Sequence, residues 1–138
     1  MKPTIMTKFA MDTNILIYSH DKSNIHKREV ARTLLDLSPV ISTQTISEYF
    51  NVLKRKLLIP KDELINLCME NLHDCIIHCV NISTLQIAKR VIKRYDLQIF
   101  DSIIVASAIE ANCDILYSED MHAGLIVEKQ LKIVNPFI

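Results

Sequence analysis

Four carboxylates, Asp12, Glu48, Asp101 and Asp120, carry the chemical interest of this sequence. Asp12 ends the short apolar run Phe9-Ala10-Met11 and is followed by two small hydrogen-bonding side chains, Thr13 and Asn14. Asp120 follows Ile115-Leu116-Tyr117 after Ser118 and Glu119, so a second apolar run also stops in small polar and acidic residues. Asp101 opens the small, aliphatic stretch from Ser102 to Ile109, and Glu48 lies beside the apolar stripe of Ile46, Tyr49, Phe50 and Leu53. Gathered in one cleft, such acids repel one another, and burial pushes some of them toward protonation. A divalent cation removes that conflict. Mg2+ prefers oxygen ligands, keeps several waters and is commonly held by one or two carboxylates plus substrate phosphate, so oxygen-only candidates favour Mg2+ or Mn2+ over zinc. A bound metal generates hydroxide from water and neutralises charge on a phosphodiester under in-line attack; a pair about 3.5–4 Å apart stabilises both attacking and leaving oxygens. The chemistry implied is phosphodiester hydrolysis without a covalent protein nucleophile.

Each acid also has a plainer role open to it. Asp12, Thr13 or Asn14 can N-cap the helix that starts near Ile15, and Asp101 can be an acid favoured by free amides and the helix dipole. Glu48 reads equally well as an exposed helix glutamate. Chemistry therefore depends on whether the chain's elements bring the acids together.

Lys8 to Asp12 reads as a first strand and Asn24 to Leu37 as an amphipathic helix with Val30, Leu34 and Leu37 inward. Pro39 opens a second strand, Val40-Ile41, passing through Ser42 and Thr43 into a helix from about Gln44 to Leu57. Pro60 and Lys61 begin a helix to about Leu72, and Cys75 to Val80 is a third strand. Ser83 to Tyr95 repeats the helical period through Leu85, Ala88, Val91, Ile92 and Tyr95. Its other side carries Lys89, Arg90, Lys93 and Arg94, the best local face for a polyanion. The run after Asp101 suggests a helix buried on most sides. Ile115 to Tyr117 is the fourth strand, and Lys132 to Asn135, after Gly124 and a polar helical turn, the last. Alternating strands and helices predict a three-layer α/β/α sandwich on a parallel sheet of about five strands, and right-handed crossovers covering both faces suggest the order 3-2-1-4-5. The order then reverses between strands one and four. Ligands of open parallel sheets bind outside the carboxyl ends of the strands at such a reversal. Asp12 and Asp120 would flank that crevice, Asp101 would enter from the helix before strand four, and Glu48 would face across from its own helix.

At 138 residues the chain is most simply one domain, 1–138, large enough to bury about two-thirds of the surface its unfolded form exposes. Apolar residues make up 49% and charged ones 23%, ordinary values for a compact soluble domain. The formal net charge is zero, so any nucleic-acid binding must be local. Lys2 and Lys8 precede an apolar stretch broken by Asp12, with no small-residue cleavage site, which does not read as a signal peptide. No run reaches the length of a membrane span, and the expectation is a cytoplasmic protein. Cys68, Cys75, Cys79 and Cys113 lack C-x-x-C spacing and read as reduced, mostly buried thiols; His73 and His78 beside them fit no structural zinc pattern. A single glycine, Gly124, cannot build a phosphate-cradling loop or a dinucleotide fingerprint.

Met11 to Leu16, Ile41 to Gln44 with Ser47 to Leu53, Phe100 to Ile104, and Tyr117 to Met121 resemble, in order and at comparable intervals, the words of the PIN domain. With the closing Val134-Asn135-Pro136-Phe137 they cover nearly the whole chain and look most like VapC toxins of bacterial or archaeal type II toxin–antitoxin pairs. The resemblance implies the 3-2-1-4-5 sheet and an endoribonuclease dependent on Mg2+ or Mn2+. It also implies structured RNA such as tRNA or rRNA as substrate, toxin dimerisation and a small antitoxin that blocks the site. By position, Asp12, Glu48, Asp101 and Asp120 match the family's acidic quartet, with Asp12 and Asp101 the direct metal ligands most expected. Thr13, Asn14 and Ser118 match its small polar support positions. Glu119, between two matched positions, is expected to point away. Phe100 stands where many relatives have Trp, and Gln98 where a smaller hydroxyl residue is common. A housekeeping PIN nuclease and a PIN module that binds without cleaving remain the alternatives. A receiver domain would want an acidic pair after its first strand and a lysine after its last; a haloacid-type phosphatase would want aspartate where Asn14 stands.

Overall fold

The structure, a computed structural model, describes residues 7–138; Lys2 lies outside the described residues. β1 (Phe9–Met11) leads into α1 (Thr13–Tyr18) and α2 (Ile25–Leu35), then β2 (Val40–Ser42), α3 (Thr43–Leu57) and α4 (Lys61–Asn71). β3 (Ile76–His78), α5 (Ile82–Tyr95), α6 (Ile99–Glu110) and β4 (Ile115–Tyr117) follow, and β5 (Ile126–Val127) and β6 (Leu131–Val134) close the sheet. The strand order is β3-β2-β1-β4-β6-β5. Its parallel part, β3-β2-β1-β4-β6, has the expected order, reversing between β1 and β4.

The pleat divides the core. Phe9, Met11 and Ile41 pack with Ile15, Leu16, Leu35, Tyr49, Leu53 and Cys68 of α1 to α4. The alternate residues Ala10, Val40 and Leu116 pack on the opposite face with Val91, Ile104, Val105 and Ala108 of α5 and α6. Every residue of α6 from Ser102 to Ile109 is buried, as an almost wholly apolar helix requires. Its serines remain satisfied, with Ser102 and Ser107 donating to the carbonyls of Gln98 and Ile103 at 2.8 Å.

Local chemistry sets the helix starts. Asp12 accepts from the Thr13 amide at the head of α1, and Ser42 accepts from the Thr45 amide at the head of α3. Asn81 and Thr84 form a reciprocal capping box at the head of α5.

The structure departs from the sequence reading at three places. Leu37 lies beyond the end of α2 and is 47% exposed, while Ala31 and Leu35 supply the buried positions. Leu85 is likewise exposed, α5 being buried through Thr84, Ala88 and Val91. In place of a polar helical turn, Ile126 and Val127 form the antiparallel edge strand β5, joined to β6 by a turn in which Glu128 and Lys129 both take positive φ.

Candidate active site

The register of β1 against β4 builds the centre of the site. Met11 lies opposite Tyr117, and the Asp12 amide donates to the Tyr117 carbonyl at 2.9 Å, so the two strands end level and deliver Asp12 beside Ser118. Asp12 is only 6% exposed. Its Oδ1 accepts from the Thr13 amide and its Oδ2 from the Ser118 hydroxyl, each at 2.7 Å. Burial raises its pKa to about 6; the bonds from Ser118 and Thr13 oppose the rise, and the charges of Asp101 and Glu48 add to it. Ser118 is itself fixed, since its Oγ accepts from the Met121 amide at 3.1 Å.

Glu48 comes from the second turn of α3. The Thr13 hydroxyl donates to its Oε2 at 2.5 Å and the Gln44 side chain to its Oε1 at 3.1 Å, which aims the carboxylate back toward the first turn of α1. Asp101, in the first turn of α6, is half-buried, and its pKa is raised by burial, then by the charges of Glu48 and Asp120. The field of Asp101 therefore reaches Asp12 and that of Asp120 reaches Asp101. Asp12 follows β1, Asp120 lies past β4, and Glu48 and Asp101 come from within α3 and α6, each coupled electrostatically to at least one other of the four. Asp120 is the exposed member.

Both polar atoms of the Asn14 amide are buried without a hydrogen-bond partner, two residues on from Asp12. Such a group is costly unless a ligand or water completes it. Among the described residues no Lys or Arg forms an ion pair with any of the four acids. This oxygen-rich set, with clustered negative charge and an orphaned amide, suits a hard divalent cation. No group of three or more His, Cys, Asp or Glu is gathered as a ready-made cage among the described residues. A magnesium ion held by one or two carboxylates, waters and a phosphate oxygen does not need one.

Gln44 escaped the sequence reading, although its place four residues before Glu48 on one helix is the signal that finds it. Glu119 points away from the acids, as expected, and its side chain is engaged by Lys27 and Tyr18. On α5, Lys89, Lys93 and Arg94 are exposed, whereas Arg90 is held by Glu128 through two hydrogen bonds of 2.5 and 2.6 Å. His78 pairs with Glu110 at 2.8 Å and His73 with Asp74 at 3.2 Å.

A parallel sheet whose order reverses beside a crevice of carboxylates defines the class: a three-layer α/β protein with an acidic site at the carboxyl ends of β1 and β4. The model of the PIN domain matches residues 10–124, and the chain belongs to the PIN domain family. Among solved structures, a toxin–antitoxin complex from Klebsiella pneumoniae is similar with a TM-score of 0.68 at 19% identity, over 94% of this chain and 98% of that one. VapC20 of Mycobacterium tuberculosis, described as a Sarcin-Ricin loop cleaving toxin, gives 0.64 at 14% identity over 82% and 90%. VapBC2 of Rickettsia felis, bound to a DNA fragment from its promoter, gives 0.62 at 17% over 83% and 89%. No curated protein sequence matches. Among the described residues no helix is long and apolar enough to cross a membrane.

Proposed function

We propose that this chain is a metal-dependent endoribonuclease, folded as one PIN domain and acting in the cytoplasm as the toxin of a type II toxin–antitoxin pair. The carrying observation is the buried carboxylate of Asp12, held at both oxygens and lying within the fields of Asp101 and Glu48. Asp12 and Asp101 would hold Mg2+ or Mn2+, with Glu48 and Asp120 completing the catalytic quartet. When bound, the ion supplies an activated water and offsets charge on the scissile phosphate. Thr13 and Ser118 set the plane of the Asp12 carboxylate, and Thr13 with Gln44 sets that of Glu48. Asn14 offers its unpartnered amide to water or substrate. Lys89, Lys93 and Arg94 give the RNA backbone a local cationic face, which a chain of zero net charge needs. Phe100, 60% exposed beside Asp101, gives a base a face to stack on.

The likeness to toxin–antitoxin complexes supports a small antitoxin as partner, and that to a toxin described as cleaving the Sarcin-Ricin loop supports structured RNA, tRNA or rRNA, as substrate; a homodimer completes the proposal. The test is cleavage of a total tRNA and rRNA pool by purified protein in Mg2+, Mn2+ or EDTA, with Asp12→Asn as the contamination control. Discrete products that need metal and vanish in the variant are expected. A folded, partner-free protein that neither cleaves nor gains stability with metal would leave a binding module. A neighbouring gene that encodes no small DNA-binding partner would turn the reading toward a housekeeping PIN nuclease.

A further inference from the structure

The side chain between Ser118 and Asp120 takes no part in the acid cluster, yet it is tied to two helices. The Glu119 carboxylate receives the Lys27 ammonium from α2 and, at Oε1, the Tyr18 hydroxyl from α1 at 2.5 Å. Lys27 also reaches the Tyr18 hydroxyl at 3.3 Å and lies 4.7 Å from the centre of the Tyr18 ring and 5.2 Å from that of Phe137. The two rings meet edge to face with centroids 5.2 Å apart. Phe137 is seated in turn by its amide, which donates to the Asn135 side chain at 2.9 Å. One turn after β4 is thereby fastened to α1, α2 and the segment after β6. Lys27 and Glu119 are 27% and 22% exposed, so the pair is partly shielded from solvent and held in one geometry by two aromatic faces.

Both neighbours of Glu119 belong to the site. Ser118 donates to Asp12 and Asp120 acts electrostatically on Asp101. A residue pinned between them limits how far either can drift. We infer that Lys27, acting through Glu119 and Tyr18, is a positioning residue that fixes the Ser118–Asp120 turn and thereby sets the affinity of the acid crevice for its divalent cation. This rests on the metal-dependent reading proposed above. Alternation makes the arrangement possible: Ser118 and Asp120 lie on either side of a residue whose side chain leaves in another direction, so the turn is gripped without a cation entering the crevice.

The experiment measures Mn2+ affinity by titration calorimetry on wild type, Lys27→Met, Glu119→Gln and Lys27→Arg, with melting temperatures recorded in EDTA. Lys27→Met and Glu119→Gln are expected to weaken Mn2+ binding about tenfold, the low end for loss of a supporting contact. The double variant should do no worse than either single one, and Lys27→Arg should recover most of the affinity. Glu29→Gln, on the exposed side of α2, controls for charge alone and should leave the affinity unchanged. If Lys27→Met does not fold, Glu119→Gln decides. Wild-type affinity retained in both Lys27→Met and Glu119→Gln overturns the positioning role alone. A wild type that binds no Mn2+ overturns the metal reading and this role with it.

Discussion

The Ser118 hydroxyl donates to Oδ2 of Asp12 at 2.7 Å, joining residues at the ends of adjacent strands that lie 106 positions apart in the chain. The bond favours the charged carboxylate against the burial that disfavours it. Ser118→Ala should therefore push the Asp12 pKa above its present value of about 6 and weaken metal binding most near neutrality. The pH at which Mn2+ affinity is half-maximal should move upward, and Ser118→Thr should restore it.

Asp12 makes the metal-free protein less stable as it ionises. Its folded pKa lies above the unfolded value of 3.8, so the stabilising contribution of the protonated form is fully present below 3.8 and is lost as pH rises through about 6. A rise from 3.8 to about 6 corresponds to on the order of 3 kcal/mol. Asp12→Asn keeps a capping side chain and removes the charge. In EDTA at pH 7.5 it should melt about 5 °C or more above wild type, the two should converge near pH 3.5, and added Mg2+ should narrow the gap at neutral pH by stabilising only the wild type. Cleavage should be lost throughout. A variant that melts well below wild type at pH 7.5 would mean that Asp12 serves the fold as a cap.

Thr13 holds Glu48 at 2.5 Å from the neighbouring helix. Thr13→Val keeps the shape and frees the carboxylate, so kcat/KM for RNA should fall about tenfold while Thr13→Ser stays near wild type. Steady-state cleavage of one substrate by the three proteins checks it.

The buried hydroxyl of Tyr49 accepts from Asn71 at 3.0 Å and lies 2.5 Å from His20 Nε2, far from the acids in function though in the same core. Tyr49→Phe should cost about 1 kcal/mol, seen as a melting temperature lower by about 3 °C, with Mn2+ affinity unchanged.

Phe100 is exposed beside a site acid, whereas Phe9 is buried in the core. If it stacks a base, Phe100→Ala should raise KM for RNA at least about fivefold and leave Mn2+ affinity alone. Equal KM values in the two proteins would remove Phe100 from the RNA surface.

Three of the candidate acids, Asp12, Asp101 and Asp120, lie at or near element ends, whereas Glu48 sits inside α3 and is singled out only by the family resemblance. A carboxylate that follows Phe9-Ala10-Met11 or opens an aliphatic helix is visible in the local pattern; alternation and handedness require a reversal in strand order, and the family resemblance places it between strands one and four. Leu37 and Leu85 were misjudged because helical period says which residues share a face but leaves the end of the buried surface open. β5 was missed for a different reason. It has two residues, and the turn beyond it uses Glu128 and Lys129 at positive φ, a conformation more often marked by glycine. The grip of Lys27 on Glu119 spans 92 positions and left no trace in spacing.

The placement of β6 fixes when the crevice can exist. Translation through Asp120 supplies every acid, but the turn that carries Ser118 and Asp120 is anchored from its far side by later residues: the Ser118 amide donates to the Val134 carbonyl at 3.0 Å and the Gly124 amide to the Ile133 carbonyl at 2.8 Å. A nascent chain that has not yet released β6 from the ribosome holds all four carboxylates without the strand that seats Ser118 and Gly124 on either side of Asp120. Assembly of the acid crevice therefore waits on residues that come after the last of its acids.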